Sequence, residues 1–412
     1  FTANATHVSD GQYYEDFAAG AENTSIPFAE RFAELSYRDL HWTLRAQAQN
    51  FQILDAALPA ADRPYTRLPR LVAAGDWTLG GKRGLAWGFD SELVNFDRNT
   101  GVTGWRFDAA PRIGLDWSGP GYFLRPQAGY RYTSYSLGNT SPDTNDSPDR
   151  QLPFVTVDSG VVLERPSGSR GQRRITLEPR ALYLYTPFRN QDELPVFDTI
   201  VPDLNTVQLF RTTRYTGADR VSDANQLSIG VTSRLFETAT GTQFVALTLG
   251  QAFYFERTRV SLPDETTPNR NKSDFVGQLA LTAYRNWSLD GALQFNPEDN
   301  RSERLQFSLQ YRPGNDRVVN LAYRSQRNSI EQAEVSAAWP IGKRWSAFAR
   351  MVYSLRENES LDQFAGFEYR ACCWRVRTVA RRFVSSRTGE QDTGIFLQLE
   401  LTGLASVGTP AD

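Results

Sequence analysis

The sequence predicts an all-β protein, a transmembrane antiparallel β-barrel of about 20 strands with short periplasmic turns and long extracellular loops. Three observations predict it. Apolar and polar residues alternate with period two through nearly the whole chain, and helical periodicity is almost absent. Most alternating segments exceed the roughly 5–6 residues of a globular strand and approach the roughly 9–11 of a membrane-spanning one. The connections swing between short and long, and aromatic residues bracket the short ones.

Composition narrows the classes. The 412 residues include 45 Lys+Arg and 47 Asp+Glu, and a net charge of -2 argues against a nucleic-acid or acidic partner. Hydrophobic residues make up 40% and aromatic ones 12%, with 25 Phe, 17 Tyr and 9 Trp. Mean hydropathy is -0.48, and no apolar run approaches the roughly 18 residues of a membrane helix. The chain does not start with Met, and FTANATHV already reads as an alternating strand. Residues 1–412 are therefore expected to be one outer-membrane barrel domain, N-terminally incomplete and cut from something longer.

Each element follows in order. Phe1–Val8 opens as a strand, and Gly80-Gly-Lys82 and Gly119-Pro-Gly121 mark the first short turns. Residues 138–150, 187–223 and 259–271 are long polar connections. Val245, Leu247 and Leu249, and then Leu305, Phe307 and Leu309, occupy alternate positions and are expected to face lipid. Arg285-Asn286, Pro313-Gly-Asn315, Pro340-Ile-Gly342 and Ala371-Cys-Cys373 are the later short turns. They are flanked by Tyr284 and Trp287, Trp339 and Trp345, and Tyr369 and Trp374. A soluble sandwich or propeller accounts for alternation and turns. It does not account for strand length, connection rhythm and aromatic placement together, and so many strands leave edges that only closure removes.

Candidate chemistry is sparse. His7 and His41 lie in no metal-ligand spacing and beside no plausible catalytic partner, so no metal, cofactor or covalent catalysis is expected. Gly80, Gly81 and Gly119 serve turns, since a phosphate cradle needs a helix after it. Cys372 and Cys373, the two cysteines of the chain, sit on a turn assigned to the oxidising periplasmic side. A bond between neighbours, two incidental thiols and a long-range bridge all remain open from the residues alone. The connection from Thr186 to Asp223 is too long for a passive hairpin and is rich in apolar residues. It reads as a lid folded on itself, or as a segment entering the lumen against a partner.

The stretch ITLEPRALYLYTPFRNQ, followed after a gap by LFRTTRYTGADRVSDANQLSIGVTSRLF, resembles the LptD family of lipopolysaccharide-assembly outer-membrane proteins. The residues that carry the resemblance include Leu177-Glu-Pro-Arg180, Tyr183-Leu-Tyr185, Arg189, Leu209-Phe-Arg211, Tyr215, Asp219-Arg220, Ala224-Asn-Gln226, Gly230-Val-Thr-Ser-Arg234, Gly250-Gln251, Trp339-Pro-Ile341 and the Cys372-Cys373 pair. The resemblance runs from about residue 8 onward and implies a family barrel of about 26 strands, so that about five or six N-terminal strands and a periplasmic domain precede this portion.

Further expectations rest on that resemblance. Cys372 and Cys373 would form disulfides to the periplasmic domain. The loop residues Phe188, Arg189, Leu209, Phe210, Arg211, Arg214, Tyr215, Asp219 and Arg220 would meet the lipoprotein plug LptE, with Arg211, Arg214, Arg220 and Arg234 facing the lumen or the anionic groups of lipopolysaccharide. Ile395, Phe396, Leu397, Gln398, Leu399, Glu400 and Leu401 would form one wall of a lateral gate, paired to the preceding strand and to nothing beyond. The expected function is insertion of lipopolysaccharide into the outer leaflet, supplied by periplasmic bridge proteins. The rival is a general porin or gated solute channel, whose loop would present facing acidic and basic residues around water. An outer-membrane hydrolase would need His7 or His41 against a carboxylate.

Overall fold

The computed structural model describes all residues except 12, 14–25, 81, 82, 169, 170, 264, 266–268, 385–388, 390, 402–404 and 409–412. Gly81 and Lys82 of the first predicted turn lie outside the described residues. The strands are β1 (Thr2–Ala5), β2 (Phe28–Arg38), β3 (Trp42–Ile53), β4 (Thr66–Leu79), β5 (Arg83–Asp97), β6 (Thr103–Gly119), β7 (Tyr122–Gly138), β8 (Asp149–Val161), β9 (Leu163–Ser167), β10 (Arg173–Thr186) and β11 (Ala224–Glu237). They continue as β12 (Gln243–Tyr254), β13 (Phe275–Tyr284), β14 (Trp287–Asn296), β15 (Arg301–Gly314), β16 (Arg317–Gln326), β17 (Ile330–Pro340), β18 (Trp345–Ser354), β19 (Glu359–Arg370), β20 (Trp374–Val384), β21 (Gln391–Leu401) and β22 (Ala405–Gly408).

All belong to one sheet in which sequence neighbours pair antiparallel. β8 and β9 are one strand interrupted at Val162, because β10 pairs with β8 through Arg180–Tyr185 and with β9 through Arg173–Leu177. Apart from the short β1, β9 and β22, strands run from 10 residues in β13 to 17 in β6 and β7. That meets the roughly 9–11 residues a tilted strand needs to cross a bilayer. No helix of the described residues is long and apolar enough to cross a membrane. The architecture is that of an outer-membrane β-barrel.

Register carries the alternation around the wall. Val245, Leu281, Leu289, Leu309, Leu321, Val335 and Met351 stand directly opposite one another on consecutive strands from β12 to β18. The row one residue along carries Ala280, Asp290, Ser308, Ala322 and Glu334. A one-residue slip would exchange the two faces, so this register is what makes one face apolar and the other polar. Of the six residues expected to face lipid, Leu247, Leu249 and Leu305 are exposed, while Val245, Phe307 and Leu309 are half-buried. Cross-strand neighbours about 4.5–5.5 Å apart cover the latter three without enclosing them in a core.

The short turns fall where glycine, proline and asparagine predict them. Arg285 and Asn286 both take positive φ, 51° and 72°, which closes the two-residue turn between β13 and β14. The aromatic girdle extends further than expected: Trp77 stacks on Trp87 at 4.1 Å and meets Trp42 edge-on at 5.1 Å beside the first short turns. The short–long rhythm holds only in part. Beyond β14 the far-side connections at 297–300, 327–329 and 355–358 are also tight, with Asn300, Asn328 and Asn358 in the left-handed region. The longer connections between described strands are at 54–65, 139–148, 187–223 and 255–274.

The seam differs from expectation on one side. β21 pairs with β20 along Gln391–Leu401, as expected. Its outer edge is not bare, because β22 folds back onto Gln398–Leu401. An edge in lipid leaves backbone groups unsatisfied, and this return strand satisfies several of them. β1 pairs with β2, and among the described residues no ladder joins β1 to β21 or β22.

Candidate functional site

The long connection between β10 and β11 enters the barrel and packs on its inner wall. The strand ends that receive it are prepared by alternation. In β6, Trp105 and Phe107 point outward and are exposed, whereas Arg106 and Asp108 point inward and are buried. Val94 and Phe96 at the end of β5 and Tyr135 near the end of β7 are likewise buried beneath the loop.

Arg106 is the hub. Its guanidinium is fully buried and donates to Asp219 Oδ1 at 2.6 Å, to Asp198 Oδ1 at 2.7 Å and to Glu92 Oε2 at 2.6 Å. It also lies over the Phe96 ring, 4.9 Å from the centroid. A buried cation is tolerated only when paired and hydrogen-bonded, and here two of its three acids come from the loop. Asp219 in turn organises the loop itself. Its Oδ2 accepts the backbone N–H groups of Phe197 (2.8 Å) and Asp198 (3.0 Å) and the Thr199 hydroxyl, while Tyr135 donates to Oδ1 at 3.1 Å. Burial pushes the Asp219 carboxyl up, but Arg106 and these N–H donors outweigh it and hold the group below the ordinary carboxylate range. Asp198 goes the other way: burial raises it, and Arg106 offsets this only in part.

Two further clamps follow. Arg150 donates to Gln191 Oε1 at 2.8 Å and to the carbonyls of Ala218 and Asp219 at 2.7 and 3.0 Å, and Arg220 donates to the carbonyls of Leu194 and Pro195. Phe197 stacks on Phe96 at 4.5 Å. Farther along, Leu209 packs with Ala252 and Val276. The wall is left bare to receive this segment: a Cβ at Gly250 would lie 2.4 Å from Leu209 Cδ2, and one at Gly230 would lie 2.8 Å from the Phe210 ring. Thr206 donates to Gln278 on β13 at 2.9 Å, and Asp203 pairs with Arg304 on β15. The loop thus reaches from β5–β8 across to β13 and β15. The 255–274 loop covers it: Asp223 accepts the N–H groups of Arg259 and Val260, and Tyr215 donates to Val260 O at 2.9 Å. Burial pushes the Tyr215 hydroxyl up to about 12.

Of the loop residues expected at the site, the structure brings Leu209, Phe210, Tyr215, Asp219 and Arg220 into this packing. Phe188 lies under Arg259, 3.9 Å from the ring centroid, Arg214 pairs with Glu265 at 2.6 Å, and Arg189 and Arg211 are exposed. Arg234 stands apart, paired with Glu178 on the neighbouring strand β10. The loop packs on the barrel's own wall, as a lid does, with Leu194 and Leu209 buried. Ile200, Val201 and Val207 remain exposed. Facing acids and bases are present as in a porin constriction, but at the loop the pair Arg106 and Asp219 is fully buried. Arg106, Glu92, Tyr135, Arg150 and Asp198 were not singled out from sequence. The available signal was Arg106 and Asp108 interleaved with Trp105 and Phe107, which marks an inward polar face without naming its partner.

The other candidate residues lie elsewhere. Cys372 and Cys373 are free and exposed on the turn between β19 and β20, with their Sγ atoms 2.7 Å apart. The hydrogen bond with Cys372 raises the Cys373 thiol above its ordinary range. On β21, Ile395 and Leu397 are 80% and 62% exposed and Leu399 and Leu401 also point outward, while Phe396, Gln398 and Glu400 are half-buried on the inner face. Glu400 pairs with Arg375 at 3.4 Å. His7 Nδ1 meets Gln52 Oε1 at 3.0 Å and His41 Nδ1 meets the Asp76 carbonyl at 3.0 Å, so neither ring is paired with a carboxylate in these contacts.

The family model for LptD, described as LPS transport system D, matches residues 1–345. A protein of Nitrosococcus oceani named LPS-assembly protein LptD is 36% identical over 407 residues, 97% of this chain and 55% of that protein. One of the same name from Aromatoleum aromaticum is 36% identical over 98% of this chain and 51% of its own length. The chain spans about half the length of the curated relatives it matches. Among solved structures, the siderophore receptor PirA from Pseudomonas aeruginosa aligns over 92% of this chain and 73% of its own, with TM-score 0.39 and 10% identity. With 36% identity maintained along essentially its whole length and a family match through residue 345, the chain belongs to the LptD family.

Proposed function

We propose that this chain is the barrel wall of a lipopolysaccharide translocon, which inserts lipopolysaccharide into the outer leaflet of the outer membrane through the lumen and a lateral gate. The observation that carries the reading is the identity, sustained along 97–98% of the chain, to proteins named for lipopolysaccharide assembly. The apolar outer rows and charged inner rows support it, since they provide a polar route bounded by lipid. In this reading β21 is one gate wall, and its inner residues Phe396, Gln398 and Glu400 meet the passing glycolipid. The exposed loop residues Ile200, Val201 and Val207 offer an apolar contact for a lumen plug, LptE. Cys372 and Cys373 tether the barrel rim to a periplasmic domain that docks the bridge proteins. The work is conformational and electrostatic, without a covalent step.

A photo-crosslinking residue at Phe396 in the full-length protein tests this in cells. Adducts with lipopolysaccharide that need the periplasmic supply are expected at Phe396 and not at the outward-facing Leu321. Equal labelling at both positions, or none at Phe396, would sink the reading.

A further inference from the structure

A small cavity lies between the 187–223 loop, the 255–274 loop and the inner ends of β10–β12. Its volume is about 130 Å³, room for several waters or one tetrahedral oxyanion. Arg211, Arg214 and Arg270 line it, with Gln208, Tyr254 and Thr258. These cations are spent unevenly. Arg270 places Nη1 on Asp274 at 2.5 Å and Arg214 places Nη2 on Glu265 at 2.6 Å, each using one nitrogen of a guanidinium that has three. Arg211 stands in no ion pair found among the described residues. Asp223 also lines the cavity, but its two oxygens accept the backbone N–H groups of Arg259 and Val260, and the Arg259 guanidinium stands 3.9 Å away. Two polar atoms, Arg214 Nε and Gln208 Oε1, are buried with no protein partner.

From this geometry we propose that the cavity binds a phosphate-type oxyanion, with Arg211 and Arg270 as its principal ligands. Guanidinium groups suit this guest because their planar N–H edges match two oxygens at once. Gln208 and Tyr254 can then serve a protonated phosphate oxygen or an adjoining hydroxyl. The cavity sits on the long-loop side of the barrel, where outer-leaflet headgroups lie. The ligand is therefore a phosphate group, either the monoester of a glycolipid headgroup or free inorganic phosphate. The headgroup source rests on the translocon reading above.

Titration of the purified barrel-containing protein with inorganic phosphate, and separately with phosphorylated and enzymatically dephosphorylated glycolipid micelles, tests the site. Arg211→Ala and Arg270→Ala are each expected to weaken phosphate binding at least about tenfold, the scale of losing a charge-assisted contact. Arg211→Lys should retain part of it. Binding of phosphorylated but not dephosphorylated glycolipid, lost in the same variants, assigns the headgroup source. Binding of inorganic phosphate alone assigns a free ion and leaves the translocon reading untouched. Neither ligand binding the unmodified protein, or binding that survives both alanine variants, overturns the site. Amide exchange at Phe197 and Asp198 in each variant keeps a misfolded loop from imitating loss of the ligand. If the site fails while Phe396 still crosslinks lipopolysaccharide, this inference is wrong and the function stands.

Discussion

Replacing Asp219 by Ala removes the acceptor for five contacts, from Arg106, Tyr135, Thr199 and the amides of Phe197 and Asp198. Breaking a buried pair costs about 3–5 kcal/mol, largely because the remaining charge loses its compensation. Here Arg106 keeps Asp198 and Glu92, so the cation is not abandoned, and the lower end of that range applies. A loss of about 3 kcal/mol in loop docking is roughly a hundredfold in the docked-to-undocked ratio. Hydrogen–deuterium exchange of the detergent-solubilised protein reads this ratio at the amides of Thr216 and Val221, whose acceptors, Ile200 O and Gln191 Oε1, survive the substitution, while the strand ladders stay closed. Protection of these two amides should fall about a hundredfold in Asp219→Ala and less in Asp219→Asn, which keeps the shape and one carbonyl acceptor. Amides in β16 and β17 should not change. Protection at Thr216 and Val221 that falls by less than about threefold would refute the claim that this carboxylate holds the loop in the lumen.

The bare wall beneath the loop gives a second expectation. Gly250→Ala should displace Leu209 and weaken docking by about 1–3 kcal/mol, seen as faster protease cleavage near residues 200–208, whereas Gly342→Ala, where a Cβ meets nothing within 4 Å, should not. On the outer face, Leu321→Arg should cost about 2–4 kcal/mol in urea unfolding from liposomes, while Ser308→Arg on the inner face beside Asp290 should cost little. Alkali should loosen the loop. Burial raises Tyr215 from 10.0 to about 12, so the stability held by its neutral hydroxyl is present below pH 10 and is lost as pH rises towards 12. Protease susceptibility at 200–208 should rise across that window, and Tyr215→Phe should weaken the dependence. On non-reducing gels of the full-length protein, loss of the oxidised mobility shift in the double replacement of Cys372 and Cys373, but in neither single one, would support the rim tether. Absence of any shift in the unmodified protein would contradict it.

What could be read from the sequence is what local geometry fixes. Side chains alternate along a strand whatever it pairs with, so Leu305, Phe307 and Leu309 were separable from Gln306 and Ser308 before any partner strand was known. The Arg285-Asn286 and Pro120-Gly121 turns were likewise legible, because their backbone needs particular residues. Strand length then made the membrane the natural setting, and ordered motifs such as Leu177-Glu-Pro-Arg180 pointed to the family. The interior was decided only by tertiary structure. Arg106 meets Asp198 and Asp219 across separations of 92 and 113 residues, and no local rule links a strand arginine to one particular loop acid. Gly230 and Gly250 read as matching residues in sequence, but their reason is the close approach of Phe210 and Leu209. The return of β22 onto Gln398–Leu401 was unforeseen for the same cause: edge pairing depends on which backbone groups remain unsatisfied once all other strands have found partners.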